Sequence, residues 1–249
     1  MNSKKALISG VTGQDGAYLA KLLLSKGYKV FGTFRRTSTP NFWRLQYADV
    51  YSKIHLIPAD LTDMGSLINA MKISDPDEVY NMAAMSFVRT AFEQPVGNSH
   101  STGTAVTRFL ESIKSINPNV KFYQASSSEM FGNSNTQIQN EQTSFSPASP
   151  YAAAKLYAHW ITKVYQEAYD MFAVSGILFN HESPIRGLEF VTRKITNAAV
   201  QIKLGLKKDI SVGNLKSKRD WGYAPEYMEA IYLMMQQDKP ETYVISTNE

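Results

Sequence analysis

The sequence predicts an α/β fold, a doubly wound parallel β-sheet with helices on both faces and a smaller C-terminal lobe. Three observations support this prediction. Short apolar runs alternate with helical patterns over residues 1–179, a glycine-rich turn links the first run to the first helix, and the alternation loosens after Asn180. Such alternation is typical of βαβ units in a Rossmann-type sheet. We therefore expect a nucleotide-binding domain over residues 1–179 and a partial, apparently incomplete substrate-binding lobe over residues 180–249, with the chain interleaving between the two.

Each element follows from its local pattern. Short apolar runs bounded by polar residues or glycine predict strands, and apolar residues three and four apart predict helices. The predicted strands are 5–9, 30–34, 54–58, 78–82, 120–125, 174–179 and 243–246. The predicted helices are 15–26, 96–116, 151–172, 189–204 and 225–237. A capped helix could begin at Thr247, so we expect the lobe to continue beyond residue 249.

Composition excludes several kinds of site and partner. The chain has 249 residues, of which 43% are hydrophobic and 19% charged, as in ordinary soluble enzymes. The net charge of +4 is small and scattered, so we expect no nucleic-acid partner. There is no cysteine, which excludes disulfides and thiolate sites, and the four histidines lack metal-ligand spacing, so no metal is predicted. No apolar run suits a signal peptide or a membrane span, so we expect a cytoplasmic protein with no membrane partner.

A glycine-rich turn follows the first strand and opens the first helix. Its glycines have the spacing G-x-x-G-x-x-G, which allows the backbone to approach a pyrophosphate, and the helix N-terminus favours the anion. A plain loop also uses glycines, but this context favours a dinucleotide site. The predicted cofactor contacts in the turn are Gly10, Thr12, Gly13, Gln14, Asp15 and Gly16.

The second strand is followed by two arginines where many dinucleotide sites have an acid. An acid accepts the ribose hydroxyls of NAD, whereas an arginine suits the 2′-phosphate of NADP. Arg35 and Arg36 therefore predict NADP, the alternative being a solvated basic loop. Further predicted cofactor contacts, placed after the third and fourth strands, are Asp60, Leu61, Ala83 and Ala84. The two alanines would let the backbone approach the cofactor, although small residues also suit packing.

Two segments together predict a catalytic device. Ser126-Ser127-Ser128-Glu129 follows the fifth apolar run, so its hydroxyls and carboxylate should lie at the end of a buried strand. Tyr151 and Lys155 are four residues apart on a predicted helix, which places the phenol beside the ammonium group. A phenol needs a pKa shift of about 3 units, or roughly 4 kcal/mol, to act as a base at neutral pH, and a neighbouring cation favours the phenolate. The carboxylic acid is a second proton carrier, which a simple alcohol oxidation would not need.

These motifs resemble those of the extended short-chain dehydrogenases/reductases that act on nucleotide sugars and, more narrowly, those of the GDP-mannose 4,6-dehydratase family. The resemblance extends over nearly the whole chain. The Tyr-x-x-x-Lys spacing marks the superfamily, whereas the Asn-His-Glu-Ser and Arg-Asp-Trp-Gly segments are far more specific. The matching stretches are Gly13-Gln-Asp-Gly16, Phe122-Tyr-Gln-Ala-Ser-Ser-Ser-Glu129, Ser149-Pro-Tyr-Ala-Ala-Ala-Lys155, Gly176-Ile-Leu-Phe-Asn-His-Glu-Ser183, Glu189-Phe-Val-Thr-Arg-Lys194 and Arg219-Asp-Trp-Gly222.

The resemblance implies a lyase that acts on GDP-mannose, or a similar nucleotide sugar, through an internal hydride cycle on NADP. Tyr151 would take the C4 hydroxyl proton while hydride passes to NADP, and Lys155 would lower the tyrosine pKa and hold the nicotinamide ribose. Ser127 would bind the reacting oxygen. Glu129 would remove the C5 proton and help to expel the C6 hydroxyl as water, and hydride return to C6 would give a 4-keto-6-deoxy sugar.

The resemblance also implies binding residues. Asn180 would lie near the sugar and diphosphate, and Ser86 would contact both cofactor and sugar. His181 would lie hydrogen-bonded near the cofactor in a structural role. The remaining implied contacts are Arg186 for the cofactor and Val191, Lys194 and Arg219 for the nucleotide end of the substrate. Ordinary surface charge is the alternative for Lys194 and Arg219.

Some positions depart from the family pattern. Met85 and Phe87 stand where many members have glutamine and histidine, and Ile185 stands where arginine is frequent. The family also continues past residue 249, where a C-terminal arginine would grip the diphosphate. We therefore expect residues 1–249 to bind NADP but to turn over poorly.

The resemblance further implies a homodimer or homotetramer. Helices near residues 96–116 and 151–172 would form a four-helix dimer contact, and the loop over residues 35–43 would reach a neighbouring subunit's cofactor. The alternative is that Met71, Tyr157, Trp160 and Tyr165 are simply core or surface residues.

Two other kinds of function stay open at this point. Another nucleotide-sugar enzyme of the superfamily is the first: a GDP-heptose dehydratase would look alike, whereas a 4-keto reductase or an epimerase would not need an acid at position 129. A non-catalytic NADP-binding sensor is the second, and it would have little reason to keep Glu129, Tyr151 and Lys155 together.

Overall fold

The larger sheet has seven strands, all of them parallel to their neighbours. The computed structural model describes residues 3–136 and 138–249. The nine strands in chain order are β1 (Lys5–Ser9), β2 (Lys29–Phe34), β3 (His55–Pro58), β4 (Glu78–Asn81), β5 (Lys121–Ser127), β6 (Ala173–Leu178), β7 (Asn180–Glu182), β8 (Trp221–Tyr223) and β9 (Tyr243–Ile245). The spatial order of the larger sheet is β3-β2-β1-β4-β5-β6-β9, and β7 pairs with β8 in a separate parallel pair. The predicted α/β class with a doubly wound sheet is confirmed.

The helices cover both faces of this sheet. They are α1 (Gln14–Ser25), α2 (Trp43–Tyr47), α3 (Met64–Ser74), α4 (Val88–Glu93), α5 (Pro95–Asn98), α6 (Ala105–Ile116), α7 (Pro150–Tyr169), α8 (Val191–Lys203) and α9 (Ala224–Met235). Side-chain caps begin two of them: the Asp63 carboxylate accepts from the Gly65 amide before α3, and the Ser149 hydroxyl accepts from the Ala152 amide before α7. The long helix expected over residues 96–116 is present as a continuous helical segment made of α5, a π-helical turn over Ser99–Thr104, and α6.

The core has two layers, one on each face of the sheet. On one face, α1 and α9 cover strand residues such as Ile8 and Tyr80. On the other face, α3, α6 and α7 cover Leu7, Val79 and Phe122. Because helices cover both faces, the strands β1, β4 and β6 are buried along almost their whole length, as is typical of parallel sheets.

The C-terminal part of the chain does not form one separate lobe. Residues 180–223 carry β7, α8 and β8 beside the larger sheet, but α9 then packs on α1 and β9 pairs with β6. The last elements, α9 and β9, therefore return to the larger sheet.

Within residues 3–136 and 138–249, no helix combines the length and apolarity that a membrane crossing needs. Within the same part, no cluster of three or more histidine, aspartate or glutamate side chains has an arrangement that would hold a metal ion.

Candidate active site

The strand order reverses between β1 and β4, which opens a crevice at the carboxyl ends of the strands. In doubly wound sheets this switch point is where ligands bind. A cavity of about 540 Å³ lies there. The predicted site residues that line it are Gly10, Thr12, Gly13, Gln14, Asp15, Gly16, Arg35, Asp60, Leu61, Ala83, Ala84, Ser86, Ser127, Glu129, Tyr151, Lys155, Asn180, His181 and Arg186.

The glycine turn packs directly against the loop that follows β4. Gly10 has a φ of +68°, and a Cβ atom built there would lie 2.7 Å from the Ala83 Cα. A Cβ on Gly16 would lie 2.5 Å from the Gly10 carbonyl oxygen. Only glycine fits these contacts, so the turn holds its backbone close to the cavity at the start of α1.

A buried polar network joins this turn to the strand β7. The Gln14 amide group donates to Asp15 Oδ1 at 2.9 Å and to the His181 carbonyl at 3.1 Å, and its oxygen accepts from the Ser183 hydroxyl at 2.7 Å. His181 Nε2 lies 3.1 Å from Asp15 Oδ2, and its ring stacks on Tyr227. Burial opposes charge on both groups, but their mutual attraction prevails: the pKa of Asp15 is lowered and that of His181 is raised. Their mutual attraction therefore favours the charged form of each group.

Tyr151 and Lys155 lie one turn apart on α7 and are both buried. The Lys155 ammonium donates to the Ala125 carbonyl at 2.6 Å and lies 5.8 Å from the centre of the Tyr151 ring. Burial lowers the pKa of Lys155 to about 8, although the charge of Asp15 opposes this shift. The ammonium is thus anchored to the end of β5 in the wall of the cavity.

Burial also governs the tyrosine. It raises the pKa of Tyr151 to about 12; the hydrogen bond with Ser127 opposes this rise, and the charge of Glu129 adds to it. Lys155 was expected to lower the pKa of Tyr151, but it does not do so in this arrangement, because its ammonium group is hydrogen-bonded to the Ala125 carbonyl and is itself desolvated. A bound ligand that brings additional positive charge to the phenol would be needed to favour the phenolate.

Ser127 and Glu129 lie where the sequence predicted, at the carboxyl end of β5. Ser127 is the last residue of the strand, and a single 3₁₀ turn over Ser128–Met130 follows it. The Ser127 hydroxyl accepts from the Glu129 amide at 3.3 Å, which caps that turn. Both side chains therefore line the same cavity as Tyr151.

Four of the predicted binding residues lie outside the cavity lining. Arg36 is exposed after β2, and Val191 is 43% exposed at the start of α8. The Lys194 ammonium donates to the Ser211 carbonyl, and the Arg219 guanidinium donates to the Lys218 carbonyl at 2.8 Å. The structure thus does not bring Val191, Lys194 and Arg219 into the cavity that Tyr151 and Lys155 line.

The cavity also has charged and aromatic lining residues that sequence reasoning missed. Arg44, on α2, donates through Nε to the Ile185 carbonyl at 2.8 Å. Glu189 and Phe190 line the cavity from the segment before α8, and the Arg186 guanidinium lies 3.6 Å from the centre of the Phe190 ring. The five-residue helix α2 has too few turns to show a periodic pattern, so nothing in the sequence singled out Arg44.

Comparison with known protein families identifies the relatives of this chain. A family model described as GDP-mannose 4,6 dehydratase matches residues 7–249. The chain belongs to the GDP-mannose 4,6-dehydratase family. The predicted resemblance is thereby confirmed.

Curated members of the family match almost the whole chain. GDP-mannose 4,6 dehydratase 2 of Arabidopsis thaliana is 50% identical over 99% of this chain and 68% of its own length. GDP-mannose 4,6-dehydratase of Sinorhizobium fredii is 49% identical over 98% of this chain and 72% of its own. The Homo sapiens enzyme is 47% identical over 98% and 68%, respectively. These relatives are dehydratases by name, which is the hydro-lyase class expected from the motifs.

Solved structures of more distant enzymes share the fold of this family member. The dTDP-glucose 4,6-dehydratase from Bacillus anthracis, in complex with NAD, superimposes with a TM-score of 0.84 at 22% identity, over 99% of this chain and 76% of that one. A UDP-N-acetylglucosamine 4-epimerase from Methanobrevibacter ruminantium gives 0.85 at 24% identity, over 99% and 77%. Sequence identity this low shows the shared fold alone.

Proposed function

We propose that this chain is a GDP-mannose 4,6-dehydratase, which converts GDP-D-mannose to GDP-4-keto-6-deoxy-D-mannose with loss of water. One observation carries the proposal: Ser127, Glu129, Tyr151 and Lys155 line a single cavity together with the glycine turn. A phenol and a carboxylate that face one space can move two different protons of one sugar ring. The names of the relatives identify GDP-mannose as the proposed substrate.

The residues at the crevice fit a dinucleotide cofactor. The turn around Gly10 and Gly16 brings backbone amides to the start of α1, where a Cβ atom would collide with backbone, and this is the cradle that a pyrophosphate needs. A bound NADP would supply hydride chemistry, taking hydride from C4 of the sugar and returning it to C6. The Bacillus anthracis neighbour carries NAD in the same fold.

The protein groups then handle the protons and the water. Tyr151, as the phenolate that a positively charged cofactor would favour, would accept the proton of the C4 hydroxyl as that carbon is oxidised, with Ser127 hydrogen-bonded to the reacting oxygen. The resulting 4-ketone acidifies the C5 proton, which the Glu129 carboxylate removes, and the same group, now an acid, protonates the departing C6 hydroxyl. Tyr151 then donates its proton to C5, which regenerates the phenolate. Lys155, anchored to Ala125, would hold the ribose of the cofactor.

We also propose that NADP is preferred over NAD. Arg35 and Asp60 both line the cavity. Burial raises the pKa of Asp60, but hydrogen bonds from Thr62 and the charge of Arg35 lower it, and the net shift is downward. Arg35→Ala should weaken NADP binding at least about tenfold and leave NAD binding within twofold. Arg36→Ala is the matched control, since Arg36 lies outside the lining. Tighter binding of NAD than of NADP by the unaltered chain would contradict the assignment.

Mass spectrometry of GDP-mannose incubated with the chain and NADP tests the activity. We expect the product to have lost one water with no net consumption of cofactor. Stoichiometric use of added NADPH would instead indicate a reductase, and an unchanged sugar nucleotide together with bound NADP would indicate a sensor.

Two substitutions test the assigned roles. Tyr151→Phe should lower kcat at least about a hundredfold while NADP stays bound. Tyr169→Phe, an exposed position at the end of the same helix, is the control. Glu129→Gln should block exchange of the C5 hydrogen with solvent deuterium, and the exposed Glu167→Gln should not. Wild-type exchange rates in Glu129→Gln would refute the role of that carboxylate.

The remaining binding roles follow from position in the fold. Ser86 and Asn180 line the cavity and are proposed to contact the sugar end. Val191, Lys194 and Arg219 lie on or beside α8 and β8 and are proposed for the nucleotide end, which would extend beyond the cavity. The division into an NADP-binding domain over residues 1–179 and a substrate lobe over residues 180–249 is kept as a functional proposal.

We further propose a homodimer, or a tetramer of two such dimers, in the cytoplasm. Tyr157, Trp160 and Val164 form an exposed apolar stripe along α7, and Val96 on α5 is 66% exposed. Val164→Glu should give a monomer in light scattering, whereas Val200→Glu on α8 should not. A monomeric unaltered chain would contradict the proposed dimer. Cell fractionation tests the proposed location, and we expect the protein in the cytoplasmic fraction.

A further inference from the structure

The helix α7 makes a second side-chain hydrogen bond to the end of β5, beyond the one made by Lys155. Tyr151, Lys155 and His159 are spaced at four-residue intervals, so they form one row along the helix. All three are buried, with exposed fractions of 7%, 4% and 5%. His159 lies outside the cavity lining, and nothing in the proposed reaction uses it.

Two members of the row are hydrogen-bonded to residues at the end of β5. The Lys155 ammonium donates to the Ala125 carbonyl at 2.6 Å. His159 Nδ1 and the Ser126 hydroxyl share a hydrogen bond of 3.1 Å. Two successive residues of the strand are therefore held by two successive turns of the helix, and Tyr151 lines the same cavity as the next strand residue, Ser127.

We infer that His159 is a positioning residue, which fixes the Ser126 side chain and thereby the backbone that carries Ser127 and Glu129. The immediate reason is chain connectivity, since Ser126 directly precedes Ser127, the last residue of β5. Pairing with β6 continues to Ser127, but pairing with β4 ends at Gln124, so on that side the contact with His159 is what holds the strand at Ser126.

The surroundings of His159 support a fixed, neutral imidazole. Phe145 and Trp160 contact its ring edge-to-face, with centroids 5.3 Å and 5.7 Å away. Burial lowers the pKa of His159 to about 4, and the charge of Lys163 on the same helix adds to this shift. A neutral imidazole has one donor and one acceptor nitrogen, so Nδ1 can pair with a hydroxyl without a buried charge.

A plain core histidine would serve only to fill space, and three substitutions separate the two roles. His159→Phe keeps an aromatic ring in the Phe145 and Trp160 contacts but removes the hydrogen bond. His159→Asn gives up the ring but can place an amide atom near the position of Nδ1. Ser126→Ala removes the same bond from the strand side and does not disturb the aromatic cluster.

The first measurement is hydrogen–deuterium exchange of the peptide over residues 121–131 in the NADP-bound protein. His159→Phe and Ser126→Ala should each speed exchange at the end of β5 at least about fivefold, and the double variant should be no faster than either. His159→Asn should exchange within about twofold of the unaltered chain. Equal rates in His159→Phe and the unaltered chain would overturn the inference, as would equal acceleration by Phe and Asn.

The second measurement is kinetic and rests on the proposed dehydratase activity. His159→Phe and Ser126→Ala should lower kcat about tenfold, with KM and the dissociation constant of NADP within twofold, and His159→Asn should recover most of the loss. An increase in KM without a change in kcat would overturn the positioning role. If the unaltered chain does not dehydrate GDP-mannose, the proposed function fails, and the exchange rates alone decide the role of His159.

Discussion

The glycine at position 10 provides the sharpest test of how the crevice is built. Alanine at this position would have to adopt a φ near +68°, which costs about 1 kcal/mol or more for a residue with a Cβ atom. The added carbon would also lie 2.7 Å from the Ala83 Cα and 2.9 Å from the Ala83 nitrogen. Both are backbone atoms, so relief requires the loop after β4 to move, at a cost of about 2 kcal/mol.

We therefore expect Gly10→Ala to lower the free energy of unfolding by about 3 kcal/mol, the sum of these two costs. Gly27→Ala is the matched control, since Gly27 also has a positive φ, +85°, but nothing lies within 4 Å of an added Cβ. That variant should lose about 1 kcal/mol, from backbone strain alone. Urea unfolding followed by tryptophan fluorescence measures both values.

NADP titration of the same variants completes the test. Gly10→Ala should weaken cofactor binding at least about tenfold, because the displaced loop forms the opposite wall of the crevice. Gly27→Ala should bind normally. Adding Ala83→Gly to Gly10→Ala should restore little, since that change removes only the side-chain contact and leaves both backbone contacts. Equal stability and equal NADP affinity in Gly10→Ala and Gly27→Ala would refute the reasoning.

Three further substitutions test the buried charges. Lys155→Met should raise the free energy of unfolding by about 2 kcal/mol at pH 7, because burial holds the pKa of Lys155 near 8. Between about pH 8 and 10.5 the unfolded chain still holds a proton on Lys155 that the folded chain has lost. The unaltered protein therefore gains stability as the pH rises, and the stability difference between it and Lys155→Met should shrink across that window. His181→Asn should cost more stability at pH 6 than at pH 9, since the ion pair with Asp15 stabilises below the ordinary histidine pKa and is lost as the pH passes the raised value; equal losses at both pH values would contradict this. Glu78→Ala should cost about 3 kcal/mol in urea unfolding, because this buried carboxylate accepts bonds from two tyrosines and a lysine, whereas the half-exposed Glu229→Ala should cost under about 0.5.

Local patterns predicted most of the larger sheet. The strand β1 has the predicted bounds, and α1 and α7 differ from the prediction by a few residues at their ends. The elements that were missed depend on contacts distant in the chain. The strands β7 and β8 have three residues each and pair across about 40 residues of chain, so neither shows a pattern of its own. The helix α3 was also missed. Asp63 caps its start, but the helix is stabilised mainly because Leu67, Ala70 and Met71 are buried against the sheet, which is a tertiary contact.

The site shows the same division between local and distant effects. The residues of the glycine turn and the Tyr151–Lys155 pair follow from spacing alone, and the structure brings them to one cavity. The contact between Gln14 and Ser183 joins residues far apart in sequence, and no spacing rule connects them. The pKa of Tyr151 could not be inferred from its lysine neighbour, because desolvation outweighs a cation that is already engaged with a carbonyl.

Residues 180–223 leave the larger sheet after β6 and rejoin it at α9, so this excursion is tethered at both ends. A segment inserted in this way can be lengthened, shortened or exchanged without a change of strand register in the larger sheet, because β9 still pairs with β6. The residues proposed for the nucleotide end, Val191, Lys194 and Arg219, can thus be changed within one stretch of chain, whereas Ser86 and Ser127 lie outside it. A chimaeric enzyme should exchange that stretch whole, with junctions after β6 and before α9.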